Sequence, residues 1–276
     1  MPAALARRDG TGGEPGRVVV SVADERSAGS GGRGGAAGGR CLAMWSGPRN
    51  LSTAMMRAWE NRADTVVVDE PFYAHFLDAT GLDHPMAAEV IAAGDTDWRR
   101  VAAALSEPPE SGYFYQKHIT THWLPHFTVD WLDALDHAFL IREPEPVVAS
   151  YLAKRGGATA ADLGYAQQAA LFEAVADRRG TPPPVIDGTR FLSDPEGQLR
   201  TLCKRLDVPF DAAMLVWPPG ARASDGVWGA HWYGAVRDSR GFGEPRAPAT
   251  VALEAAGQRL ADACRPLYEA LARHAI

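Results

Sequence analysis

Ser46-Gly47-Pro48-Arg49-Asn50-Leu51-Ser52-Thr53 places one fixed cation and three hydroxyls in a short polar turn, directly after the apolar run Arg40–Trp45. The pattern predicts a strand, a tight loop, and a helix starting near Ala54. At such a junction the first helical N–H groups lack intrahelical acceptors, and the helix dipole adds partial positive charge. Arg49 contributes a full charge, and Ser52 and Thr53 contribute hydroxyls at the helix start. The chemistry this stretch could do is to hold a phosphate-like or sulfate-like group. Taken alone, it also fits an ordinary strand-to-helix turn with a Ser/Thr cap. The G-x-x-x-x-G-K-[ST] pattern is absent and no Lys precedes Ser52 or Thr53, which argues against a nucleoside-triphosphate loop with its Mg²⁺.

A second stretch repeats the arrangement. Ala138–Ile141 reads as a buried strand leading into Arg142-Glu-Pro-Glu-Pro-Val-Val-Ala-Ser150-Tyr151. Pro144 and Pro146 suit the first turn of a helix. Arg142 leaves the strand's carboxyl end, and Ser150 lies two turns into the helix. In an open parallel sheet, ligands bind beyond the carboxyl ends of the strands. Two anion-binding loops facing one crevice, each with an Arg and a hydroxyl, suggest a ligand with two anionic groups.

These residues resemble the sulfotransferase family. Pro48-Arg49-Asn50-Leu51-Ser52-Thr53 is similar to that family's 5′-phosphosulfate loop, and Arg142 with Ser150 eight residues on is similar to its 3′-phosphate motif. Val185–Pro195 resembles the segment before the family's long helix, and Val227–Phe242 its late Gly/Trp-rich loop. The likeness runs over roughly residues 40 to 245 and is closest to the bacterial sulfotransferase-like branch. It implies an α/β three-layer sandwich with a central parallel sheet, of the P-loop NTPase-like kind. It implies transfer of a sulfuryl group from 3′-phosphoadenosine 5′-phosphosulfate to a hydroxyl or amine of a small-molecule acceptor, with no metal required. The cofactor-binding set it implies is Pro48, Arg49, Asn50, Leu51, Ser52, Thr53, Arg142, Ser150 and Arg237, with His231 beside Arg237 in the late loop. Two departures stand out. Leu51 replaces a common Gly, which tolerates positive φ where Leu does not, and Arg49 replaces the usual Lys. A phosphotransferase of related architecture and a non-catalytic nucleotide-binding relative are the alternative readings.

In-line sulfuryl transfer needs a base for the acceptor proton and cations for charge growing on the leaving phosphate. Glu70, just past the strand Val66–Asp69, is one candidate base; an ion pair with Arg49, or a turn cap before Pro71, is the plainer role. His118 is the other candidate, because its ordinary pKa suits proton transfer. Beside it, Lys117 is the only Lys before residue 154. It offers a compact ammonium for the bridging oxygen, or simply a solvent-facing strand end. The catalytic set is therefore Glu70, His118, Lys117 and Arg49. His122, one helical turn on, faces the same way as His118 if its segment is helical; the plainer role of His122 and His126 is packing or surface. The aromatic residues Trp45, Phe72, Tyr73, Trp123, Trp131, Trp228 and Trp232 either form an acceptor pocket or fill the core.

The elements that must position these groups alternate along the chain. Strands are expected at 40–45, 65–69, 113–116, 137–141 and 183–187. Helices are expected at 53–62, 85–93, 97–105, 144–154, 161–178, 194–206 and 249–273. Such alternation predicts a parallel sheet covered on both faces. Residues 207–248, rich in Gly, Pro and Trp and without period, read as a long ordered loop or lid.

The remaining composition narrows the partners. With 46% apolar and 22% charged residues, the 276-residue chain has the makings of one α/β domain over residues 40–276. Residues 1–39, Gly-, Ala- and Ser-rich toward their end, are expected to be disordered, the run Val18–Val22 included. A formal charge of −6 does not favour nucleic acid. No apolar run reaches membrane-spanning length, and Arg7-Arg8 lack the apolar stretch of a signal peptide. Cys41, Cys203 and Cys264 have neither metal-ligand nor redox spacing and fit a reduced, cytoplasmic setting. Nothing in the sequence specifies an oligomer.

Overall fold

The computed structural model describes residues 38–244 and 251–276. The expected disordered tail at 1–39, apart from its last two residues, and the run Val18–Val22 lie outside the described residues. Five strands, β1 (Arg40–Ser46), β2 (Thr65–Asp69), β3 (Tyr113–Ile119), β4 (Asp136–Ile141) and β5 (Val185–Asp187), form one parallel sheet in the order β2-β3-β1-β4-β5. Between them run α1 (Ser52–Glu60), α2 (Tyr73–Thr80), α3 (Ala87–Ala93), α4 (Trp98–Leu105), α5 (Pro144–Arg155), α6 (Ala160–Leu163) and α7 (Tyr165–Arg179). After β5 come α8 (Gly188–Phe191), α9 (Pro195–Arg205), α10 (Gly229–Trp232), α11 (Gly234–Arg237) and α12 (Ala255–Ala272).

Period-2 alternation on the central strand explains the layering. From β1, Leu42 and Met44 enter a core with Met55, Met56 and Trp59 of α1 and Leu199 and Leu202 of α9. Cys41, Ala43 and Trp45 point the other way, into a core with Phe139, Phe172 of α7 and Leu271 of α12. Both faces are covered, as a near-continuous apolar parallel strand requires. The connection after β1 leads to β2 on one side, and that after β4 leads to β5 on the other. The loops at these two carboxyl ends therefore part and open a crevice.

Three local expectations are corrected. The helix expected over 161–178 is two helices, because Gly164 sits at φ +74 between them. A Cβ there would come within 2.9 Å of Thr121 Cγ2. Strand β3 continues to Ile119, taking Lys117 and His118 into the sheet. The segment 207–248 is ordered where described, but it contains α10, α11 and a short 3₁₀ turn, and is closed by a bridge between Val216 and Gly241. Helix α2 was not expected; the final helix is described from Ala255, and residues 245–250 lie outside the described residues. No helix among the described residues is long and apolar enough to cross a membrane.

Candidate active site

The loop after β1 turns on Arg49, whose φ is +58, while Leu51 has φ −84 and ψ 14. The left-handed residue is thus Arg49, and Leu51 is unstrained at the position where the family commonly has Gly. Asn50 closes the turn: Nδ2 donates to the Leu140 carbonyl at 2.9 Å, and Oδ1 accepts from Leu51 N–H at 2.8 Å. Asn50 therefore pins the loop to β4. No side chain caps α1, so its first-turn N–H groups, those of Ser52, Thr53 and Ala54, retain their capacity for an anion.

The second loop interlocks with the first. Arg142 Nη1 donates to the Arg49 carbonyl at 3.0 Å, and Arg49 Nε donates to Ser150 Oγ at 3.0 Å. Burial lowers the Arg49 pKa from its ordinary value, and among the described residues no carboxylate pairs with this guanidinium. A partly desolvated cation without an anionic partner suits an anionic ligand. Pro48 to Thr53, Arg142 and Ser150 all line a single cavity of about 720 Å³, together with Glu70 and Lys117.

The Glu70 end of the cavity is built by register and by one unusual dihedral. Asp69 of β2 pairs with Lys117 of β3, so their side chains share a face. Glu70, the next residue, would point away on a regular strand. Its φ of +42 turns its carboxylate back to the same ammonium. Lys117 Nζ donates to Asp69 Oδ1 at 2.8 Å, Glu70 Oε1 at 2.6 Å and Tyr233 Oη at 2.6 Å. All three of its N–H groups are thereby used. Burial opposes the Lys117 charge, yet Asp69 and Glu70 outweigh it and raise the pKa. Glu70 Oε2 is left facing His122 Nε2 at 4.0 Å. The His122 ring lies between Tyr73 and Phe76, at centroid distances of 4.5 and 4.8 Å, and burial holds it neutral.

Other expected site residues fall elsewhere. Lys117 and His118 are neighbours on a strand and must face opposite sides. His118 pairs in register with Trp45, stacks on its ring at 4.0 Å and is 2% exposed. It does not line the cavity, and burial keeps it neutral. A base must reach the acceptor proton, so this placement favours Glu70 over His118. Arg237 pairs with Asp225 at 3.4 Å instead of lining the cavity, and His231 is exposed. Trp45, Phe72, Trp131 and Trp228 pack in core clusters, whereas Tyr73, Trp123 and Trp232 line the cavity. Glu70 pairs with Lys117, and no ion pair joins it to Arg49.

Three members of the site escaped the sequence reading: Asp69, Tyr233 and Phe76, the last lining the cavity against His122. Asp69 was read as a strand end, although an Asp-Glu doublet at a strand terminus opposite a lone Lys is a readable signal. Tyr233 carried no such signal; it reaches Asp69 across a separation of 164 residues.

Comparison with known proteins fits this geometry. A family model described as "Sulfotransferase domain" matches residues 40–275. The chain belongs to the sulfotransferase domain family. It is 37% identical over 232 residues to "Branched-chain-amino-acid aminotransferase-like protein 1" of Arabidopsis thaliana. It is 34% identical over 232 residues to "Branched-chain-amino-acid aminotransferase-like protein 2" of the same plant. Each match takes in 83% of this chain but only 41% of the relative, so the chain spans about two-fifths of these curated relatives. Among solved structures, the "Sulfotransferase Domain from the Curacin Biosynthetic Pathway" is 14% identical with a TM-score of 0.47, covering 82% of this chain and 98% of that one. The "Crystal Structure of Sulfotransferase from Alicyclobacillus acidocaldarius" is 12% identical with a TM-score of 0.48, covering 86% of this chain and 97% of that one.

Proposed function

We propose that this sulfotransferase-family chain transfers a sulfuryl group from 3′-phosphoadenosine 5′-phosphosulfate to a hydroxyl or amine of a small-molecule acceptor. The observation that carries the reading is that Arg49, Arg142 and Glu70 line one cavity. The residues fit a doubly anionic donor: an uncapped helix start and a partly buried guanidinium at one loop, and a second guanidinium at the other.

The donor supplies an activated sulfuryl group, whose bond to the adenylate phosphate breaks as the acceptor's oxygen or nitrogen bonds to sulfur. Arg49 and the N–H groups of Ser52, Thr53 and Ala54 would hold the 5′ end, and Arg142 with Ser150 the 3′-phosphate. Glu70 accepts the acceptor proton at Oε2, because Oε1 is engaged by Lys117. The interval of 4.0 Å between Glu70 Oε2 and His122 Nε2 suits a hydroxyl bridging the two. Lys117, already holding two carboxylates and a phenol, acts by fixing Glu70 more than by reaching the leaving oxygen. The rings of Tyr73, Phe76 and Trp123 on the cavity wall suit a partly apolar acceptor.

Transfer of labelled sulfate from the donor to a panel of alcohols, phenols and amines tests the reading. Labelled product with at least one acceptor class is the expected result. Mg²⁺-dependent turnover of ATP would favour a phosphotransferase, and tight binding of 3′,5′-bisphosphoadenosine without transfer to any acceptor would favour a non-catalytic relative.

A further inference from the structure

The segment Asp225–Arg237 touches both ends of the cavity. At its start, Asp225 Oδ1 accepts from Arg57 Nη2 of α1 at 2.5 Å, and Gly226 N–H donates to Asp69 Oδ2 at 3.2 Å. Near its end, consecutive residues divide between the two functions. The Arg49 guanidinium lies 5.9 Å from the ring centroid of Trp232. The Tyr233 hydroxyl accepts from Lys117 Nζ at 2.6 Å and from Trp228 Nε1 at 3.0 Å, donates to Asp69 Oδ2 at 2.7 Å, and lies 3.4 Å from Glu70 Oε1. Trp232 and Tyr233 both line the cavity.

We propose that Tyr233 is a positioning residue for Glu70, acting chiefly through Lys117 and also through its own longer contact to Glu70 Oε1, and that its segment links occupancy of the Arg49 loop to the geometry of the base. The inference rests on the sulfotransferase reading above. Its geometric basis is that Lys117 has three N–H groups and three acceptors, of which Tyr233 is the only one outside β2 and its edge. Removing that hydroxyl leaves Lys117 with one unsatisfied donor and Asp69 without one of its donors. The ammonium then has reason to shift, and Glu70 Oε1, held by Lys117, shifts with it. Because Trp232 is covalently next to Tyr233 and packs by Arg49, an anion drawing on Arg49 acts on the same segment.

The chain has only three lysines, Lys117, Lys154 and Lys204, so amine labelling reads this tie directly. Reductive methylation followed by mass spectrometry compares wild type with Tyr233→Phe, which keeps the ring. Lys117 is expected to be modified at least about tenfold faster in the variant, with Lys154 and Lys204 unchanged as internal controls of the fold. Added 3′,5′-bisphosphoadenosine should slow Lys117 labelling in wild type but not in Tyr233→Phe; a ligand that merely covered Lys117 would protect it in both. In turnover with the sulfuryl donor and a phenol, kcat should fall at least about tenfold while the donor KM stays within about twofold. Trp228→Phe, which removes one donor to the Tyr233 hydroxyl, should raise Lys117 labelling by a smaller factor and serves if Tyr233→Phe does not fold. Unchanged Lys117 labelling in both variants, or raised labelling with unchanged kcat, would overturn the proposal. Failure of wild type to bind 3′,5′-bisphosphoadenosine in calorimetry would instead count against the donor assignment, and the labelling comparison without ligand would still decide the tie.

Discussion

Arg142 and Arg49 are joined side chain to main chain: the guanidinium that follows β4 donates to the carbonyl oxygen of the residue that turns the loop after β1, at 3.0 Å. Arg49 returns the link by donating to Ser150 on the helix that Arg142 precedes. The loops after β1 and β4 are therefore one structure, and disturbing either should be felt at both.

Arg142→Ala should weaken 3′,5′-bisphosphoadenosine about 10- to 100-fold, the worth of a charge-assisted hydrogen bond or two. Adenosine 5′-phosphate, which lacks the 3′ group, should weaken only severalfold, through the loosened Arg49 loop. Isothermal titration of both ligands checks this. Equal losses would remove the 3′-phosphate role from Arg142.

Glu70→Gln keeps size and shape but cannot accept a proton as a carboxylate does. Turnover should fall about 10²- to 10⁴-fold, with donor affinity within about threefold of wild type. Steady-state kinetics with saturating donor measure it. Unchanged turnover would place the base elsewhere, with His122 the next group along the cavity wall.

At Arg49, charge and backbone conformation can be separated, because its φ is +58. Arg49→Gly and Arg49→Ala both lose the cation and should lose comparable donor affinity. Arg49→Gly, which accepts the left-handed conformation freely, should be more stable than Arg49→Ala by about 1 kcal/mol in urea denaturation. Equal stabilities would mean that the loop relaxes without cost.

Acid should destabilise the fold through buried imidazoles. Burial pushes His137 down to about 4, and its ring takes Trp45 Nε1–H at Nδ1 at 3.0 Å while Nε2 faces the Leu132 carbonyl at 2.9 Å. The proton must sit on Nε2, and a second one would set N–H against N–H. Burial likewise pushes His84 down to about 4, and holds His118 and His122 well below the usual range. The unfolded chain binds these protons near pH 6.5, ahead of the folded one. Stability is therefore complete above about pH 6.5 and is lost as pH falls toward about 4. His137 alone should contribute about 2 kcal/mol of loss at pH 5. Urea denaturation at pH 7.5 and pH 5 measures the difference, and equal stabilities at the two values would contradict the buried-neutral assignment.

How far the site could be read from the chain depended on how local each feature is. The two strand–loop–helix junctions were legible because a strand run, an Arg and a hydroxyl lie within a few residues of each other, and the sheet order then brings the carboxyl ends of β1 and β4 side by side. Glu70 was legible as a carboxylate at a strand end, but its partner was not: ion pairing with Lys117 depends on the register between β2 and β3 and on a positive φ that no residue type at that position announces. Lys117 and His118 were read together because β3 was ended at residue 116; three more residues of strand send one to the cavity and the other to the core. Tyr233 is illegible locally, since its role is set entirely by tertiary packing against residues far away in the chain.

A calorimetric titration of the whole chain with 3′,5′-bisphosphoadenosine, run beside ATP with Mg²⁺, tests the central claim most directly. The account predicts saturable binding of 3′,5′-bisphosphoadenosine at one site, at least about tenfold tighter than that of ATP and lost in Arg49→Ala. Binding of ATP with equal or greater affinity, or 3′,5′-bisphosphoadenosine binding that Arg49→Ala leaves intact, would contradict it.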